Sequence, residues 1–99
     1  MKKYETRIHG DAPVLTHFYA SWSPSGHLLM PVVAELKKML GQRIIIQNAD
    51  IEKEKDLAAL HHIQTVPTVI IFDNGCEVWR KTGIVSAHEI LEHLQMMID

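Results

Sequence analysis

The residues that could do chemistry fall in few places. Ser23-Pro24-Ser25-Gly26-His27 sets two hydroxyls and an imidazole side by side, directly after Trp22. A serine at the positive end of a helix can hydrogen-bond a sulfur or an anion. The same residues also make a good helix start, with Ser23 as N-cap and Pro24 at the first helical position, where its missing donor costs little; this structural reading is the stronger of the two. Cys76 is the single cysteine, so no internal disulfide can form. Its nearest cations in sequence are Arg80 and Lys81, too far along the chain to mark it as an activated thiol. Seven histidines invite a metal hypothesis. Yet His61 and His62 are adjacent and point in different helix directions, His88 and His93 align only moderately, and no His-x-x-x-His or Cys-x-x-Cys spacing occurs. Scattered surface histidines are the expectation, with no metal and no cofactor.

The elements that must position these residues belong to one small domain. The chain has 99 residues, 46% of them hydrophobic and 22% charged, an ordinary globular composition. One domain over residues 1–99 is expected. A net charge of -2 offers no basic field for a polyanion, so neither nucleic acid nor an anionic membrane is an expected partner. The opening Met-Lys-Lys-Tyr-Glu-Thr-Arg has no apolar stretch behind it, and no segment approaches the ~20 apolar residues of a membrane span. These features, with the lone cysteine, make the cytoplasm the expected location.

Pro13 to Ala20 reads as a buried strand, short and rich in strand formers, after the Gly10-Asp11 turn signal. Leu29, Val33, Leu36 and Leu40 then form one stripe of a helix that stops at Gly41. Pro31 inside it should kink it. Arg43 to Gln47 reads as a second strand, parallel to the first because a helix joins them. Glu52 to His62 follows as a helix with Leu57, Leu60 and Ile63 inward and Glu52 to Lys55 solvated. Thr68 to Phe72 and Cys76 to Lys81 flank Asp73-Asn74-Gly75, a tight-hairpin signal. Trp79, with Glu77 and Lys81 on its strand face, reads as an exposed contact residue. Ser86 followed by Glu89 is a capping-box pattern that opens a terminal helix with Ile90, Leu94 and Met97 or Ile98 on one face. Residues 1–9 read equally as a short helix or an edge strand. The fold class is α/β: a mixed sheet of four strands, or five, with helices on both faces.

Several junctions are more specific than the order of elements. Phe18-Tyr19-Ala20-Ser21-Trp22 leads into the first helix with Pro31 beyond it, Thr65-Val66-Pro67-Thr68 precedes the hairpin, and Gly83 follows the last strand. From about Asp11 to Leu94 this pattern resembles the thioredoxin family: its Trp-Cys-Gly-Pro-Cys motif, its cis-proline loop and its hairpin. The resemblance implies a thioredoxin-like fold with part of the family's first strand and helix missing before Pro13. It also marks two departures. Ser23 and Gly26 stand where the family has its two cysteines, and His17 and Asn48 stand where it has a buried acid and the lysine that pairs with it.

Dithiol exchange needs an attacking thiolate and a resolving thiol. With neither present, the resemblance implies a domain without disulfide reductase activity and without catalytic residues. The resemblance further implies that the domain binds a protein or extended peptide through Trp22, Ser23, Pro24, Ser25, Gly26, His27, Thr65, Val66 and Pro67, in a chaperone-like, scaffold or assembly role. Backbone groups before the cis-proline would pair with the peptide and Trp22 would supply apolar contact. The alternatives are a thiol-disulfide or glutathione-linked oxidoreductase using Ser23 or Cys76, and a structural subunit that dimerises through the edge strand bearing Trp79. His17 is expected beneath the motif as a satisfied buried histidine, and His27 at its rim.

Overall fold

The structure, a computed structural model, describes residues 12–98. The expectations for residues 1–9 lie outside that range. The described elements are β1 (Val14–Tyr19), α1 (Pro24–Leu40), a single 3-10 turn (Gly41–Arg43), β2 (Ile45–Asp50), α2 (Lys55–Leu60), β3 (Thr68–Asp73), β4 (Cys76–Thr82) and α3 (Ala87–Leu94). Among the described residues the sheet has four strands in the order β2-β1-β3-β4. β1 runs parallel to β2 and antiparallel to β3, and β3 and β4 form the antiparallel hairpin.

β1 and β3 are central and buried on both faces, which is why their sequences are nearly continuous in apolar residues. Alternate side chains feed two cores. On one face Leu15, Val69 and Ile71 meet Leu29, Leu36 and Leu40 of α1 and Ile90 and Leu94 of α3. On the other, Val14, Phe18, Ile70 and Phe72 pack with Ala49 and with Leu57 of α2. The expected stripe on α1 is buried throughout, and the helix continues through Pro31. It ends at Gly41, whose φ of 57° suits glycine. Lys37 Nζ donates to the carbonyls of Gly41 and Ile44 at 2.8 and 3.0 Å, and the Arg43 guanidinium donates to those of Leu40 and Met39, cations placed on the negative end of the helix. This capped turn occupies Gly41 to Arg43, so β2 begins later than the sequence reading put it and runs on to Asp50.

The second helix is shorter than expected. Asp50 closes the preceding turn: its carboxylate accepts the N–H of Glu52 at 2.9 Å, and its carbonyl accepts those of Lys53 and Glu54. At the far end His62 has a φ of 55°, which stops the helix. Leu60, expected inward, is 59% exposed. The inner position belongs to His61, whose ring packs against Phe72 and Phe18 at 4.9 and 6.1 Å, so this histidine is not a surface residue.

Asn74 and Gly75 take the positive φ values, 52° and 82°, that a tight hairpin requires. Beyond the turn, β4 carries a bulge. Ile71 pairs with Trp79 but Phe72 with Glu77, leaving Val78 as the extra residue. The bulge corrects the expectation for Trp79. Glu77 is turned to the opposite face, where it accepts two hydrogen bonds from Arg80 at 2.9 and 2.7 Å. Trp79 itself is half-buried against the first core and stacks on His93 with ring centroids 4.4 Å apart. It is not an exposed contact residue.

Ser86 caps α3, its Oγ accepting the N–H of Glu89 at 3.1 Å, while the Glu89 carboxylate pairs with Lys81 at 3.4 Å. Ser86→Ala should therefore lower stability by about 1 kcal/mol in urea unfolding, and an unchanged midpoint would show that this cap contributes nothing.

Candidate functional site

The strand register gathers the predicted site residues at one end of the sheet. Phe18 faces Thr68 across the antiparallel β1–β3 pair, and Thr68 faces Thr82. The loop leaving β1, the loop entering β3 and the loop leaving β4 therefore emerge together. The first holds Trp22 to His27, the second Thr65 to Pro67 and the third Gly83 to Val85.

Trp22 is 66% exposed at this end. Ser23 has the extended backbone of an N-cap and Pro24 opens α1, as the helix-start reading expects. The hydroxyl differs from that reading: Ser23 makes no side-chain cap bond, and the residue is held by its own N–H donating to the carbonyl of Ala20 at 2.9 Å. The early N–H groups of α1 thus lack the usual cap. Ser25 and Gly26 fall in the first turn of α1. His27, exposed at the rim, donates from Nε2 to the carbonyl of Ser21 at 2.9 Å and tethers the loop to the helix. Pro31, one turn on, cannot donate to the carbonyl of His27.

The Val66–Pro67 bond is cis. Thr68 Oγ1 donates to the carbonyl of Thr65 at 2.8 Å, and the carbonyl of Pro67 accepts the N–H of Gly83 at 2.8 Å. Between them, the backbone N–H and C=O of Val66 have no hydrogen-bond partner among the described residues. The Gly83 bond brings Ile84, 56% exposed, to this surface. Sequence reasoning picked out Gly83 but not Ile84; an apolar residue just past a strand-ending glycine was the available signal.

His17 and Asn48 are brought together by the parallel register of β1 and β2, with His17 Nδ1 donating to Asn48 Oδ1 at 3.0 Å. His17 is completely buried and stacks on Tyr19, centroids 5.5 Å apart. The expectation of a satisfied histidine holds for only one nitrogen, because Nε2 is buried with no protein partner. Burial pulls the imidazole below its ordinary value, with the Asn48 hydrogen bond opposing more weakly. Since Nε2 has no protein partner, Ser23 is not joined to it as an activated nucleophile. Cys76 is exposed and pairs with Asp73 beside the hairpin turn. It lies at the opposite end of β4 from Thr82, roughly 20 Å away at the usual rise per residue.

Among the described residues no three His, Cys, Asp or Glu side chains gather as a metal set, and no helix is long and apolar enough to cross a membrane. A groove of about 630 Å³ runs between α1 and β2, lined by Met30, Val33, Ala34, Lys37, Ile45, Ile46 and Asn48. None of the predicted site residues lines it.

A mixed four-stranded sheet with helices on both faces, a helix N-terminus after β1 and a cis-proline entering β3 define a thioredoxin-fold domain. The thioredoxin family model matches residues 1–96, and the chain belongs to that family. It is 30% identical over 89 residues to chloroplastic thioredoxin Y of Oryza sativa subsp. japonica, covering 90% of this chain and 53% of that protein. The chain thus spans about half the length of this relative. A thioredoxin-like protein of Synechocystis sp. is 30% identical over 86 residues, covering 87% of this chain and 82% of its own. Among solved structures, a mutant thioredoxin from Halobacterium salinarum superposes with a TM-score of 0.89 over the whole chain and 86% of its own, at 21% identity, a likeness of fold.

Proposed function

We propose that this domain is a binding module that has given up dithiol exchange and holds an extended segment of a partner protein across the end of the sheet formed by Trp22 to His27 and Thr65 to Pro67. The observation that carries the reading is a combination. Ser23 and Gly26 stand where exchange would need sulfur, Cys76 lies at the other end of the sheet, and the Val66 backbone, without a hydrogen-bond partner among the described residues, emerges at the same end as an exposed tryptophan. An extended chain could add to the free backbone groups of Val66 while Trp22 covers its apolar side chains. A scaffold, assembly or chaperone-like role follows from binding without turnover, and a single cysteine fits a reducing compartment such as the cytoplasm. Pairing of two copies through β4 is the less favoured reading, since the Val78 bulge and the inward Trp79 remove the regular apolar edge it would need.

The test is affinity capture followed by titration of the captured segment as a synthetic peptide. Trp22→Ala should weaken binding by about tenfold or more, the effect of removing a central aromatic contact. Affinity unchanged in both Trp22→Ala and Pro67→Ala would move the binding surface elsewhere.

A further inference from the structure

The two edges of the sheet among the described residues are built differently. β4 is broken by the Val78 bulge and carries Glu77, Arg80 and Lys81. β2 is regular from Ile45 to Asp50, and the run from Ile44 to Ala49 has no charge and no proline. Charges, prolines and bulges are what ordinarily keep an edge from pairing with another strand. The bonds of β2 to β1 begin at the N–H of Ile45, which donates to the carbonyl of Pro13, and reach the N–H of Ile51, which donates to that of Tyr19. Alternate residues of a parallel ladder face the same neighbour, so Ile45, Gln47, Ala49 and Ile51 bond β1 while the backbone groups of Ile46, Asn48 and Asp50 point outward.

The groove of about 630 Å³ lies along this same edge, with Ile46 and Asn48 on its strand side and Met30, Val33 and Ala34 on its α1 side. We propose that two copies of this chain pair through β2, antiparallel about a two-fold axis, and so join their four-stranded sheets into one. The outward groups fix the register. The carbonyl of Asp50 is taken by the N–H groups of Lys53 and Glu54, which leaves Ile46 and Asn48 to exchange bonds with Asn48 and Ile46 of the second copy. Gln47 then lies opposite its own equivalent.

That register is self-complementary. No charge faces a like charge along the paired run, and Arg43 of each copy arrives at the Asp50 and Glu52 end of the other. The two grooves meet at the axis, where Met30 and Ala34 of one α1 cover those of the other. Because the two β2 strands run in opposite directions, the surfaces of Trp22 and Pro67 point to opposite ends of the joined sheet and both stay open. The pairing does not depend on the partner reading.

Sedimentation velocity of the whole chain between about 10 μM and about 1 mM, the range in which a small interface populates, should show a monomer–dimer equilibrium. Amide hydrogen exchange over the same range reads the strand itself. Protection of the Ile46 and Asn48 N–H groups should rise about threefold for each tenfold in concentration once the dimer dominates, because the monomer share falls as the square root. Gln47 and Ala49, bonded to β1, should be protected at the lowest concentration already. Ala34→Glu, at an exposed position on α1, should lower the dimer affinity by about tenfold or more, and Ile46→Pro, which removes an N–H that β1 does not use, should do the same. Should Ile46→Pro fail to fold, Ala34→Glu decides. A monomer at every concentration, or a dimer that Ala34→Glu leaves intact, would overturn the proposal. So would protection of Ile46 and Asn48 that is the same at every concentration, since another segment of the same chain would then cover the edge.

Discussion

A Ser23→Cys/Gly26→Cys double variant should reduce disulfides in the presence of a dithiol reductant at a rate at least about tenfold above the parent domain, which should show no turnover beyond the reductant alone. Position 23 caps α1 and position 26 falls in its first turn, so two thiols placed there would meet at the start of one helix. Gly26 lies inside α1, where its backbone angles suit any side chain. A thiol at position 23 would also sit at the positive end of a seventeen-residue helix whose early N–H groups have no side-chain cap, which favours the thiolate. The control is Cys76→Ser in the parent, expected to be silent because Cys76 is exposed at the hairpin end. If the parent itself cycles a dithiol substrate, and loses that activity with Cys76→Ser, the binding-module reading fails and an oxidoreductase replaces it.

The largest effect on stability is expected at Phe18. Its side chain is fully buried in the second core, under the ring of His61 and on the strand that joins both halves of the candidate surface. Phe18→Ala leaves a cavity among Val14, Ile70 and Phe72 and should cost about 3–5 kcal/mol, a large share of the about 5–15 kcal/mol that holds a domain together. Leu60→Ala, at an exposed leucine on the neighbouring helix, should change stability by no more than about 0.5 kcal/mol. Urea unfolding of the pair reads the orientation of α2 directly. Equal losses at the two positions would mean that Leu60 faces the core after all.

That pair also shows where sequence periodicity stops being informative. In α1 the buried stripe spans several turns, so a shift by one residue would expose it and the pattern has one solution. α2 has six residues, and Leu57, Ala58, Leu60 and His61 allow more than one inward face. The choice falls to what is across the interface: His61 sets its ring at a tilt against Phe18 and Phe72, while Leu60 stays exposed. Trp79 repeats the lesson on a strand. Alternation places Glu77 on its face, but one bulged residue, visible only once Phe72 has paired with Glu77, reverses the side on which the glutamate lies. For the candidate surface, the helix start after Trp22 was legible because helix starts depend on particular residue types, and the loops of Pro67 and Gly83 were legible through the resemblance to the family. Ile84 escaped notice because an exposed isoleucine carries no such mark, and its relevance comes from the hydrogen bond between Gly83 and Pro67.

Local chemistry determined from sequence alone the order of strands and helices, the hairpin at Asn74-Gly75, the cap at Ser86, the stop at Gly41 and the lack of sulfur beside Trp22. Each depends on backbone angles, periodicity or residue type within a few positions. Only the tertiary structure decided that Nε2 of His17 would be buried without a partner among the described residues, that His61 would turn inward, and that the Val66 backbone would likewise find none among them at the end of the sheet. Those outcomes depend on which atoms of distant segments arrive at hydrogen-bonding or packing distance, and a linear sequence does not encode that separation until the sheet has assembled.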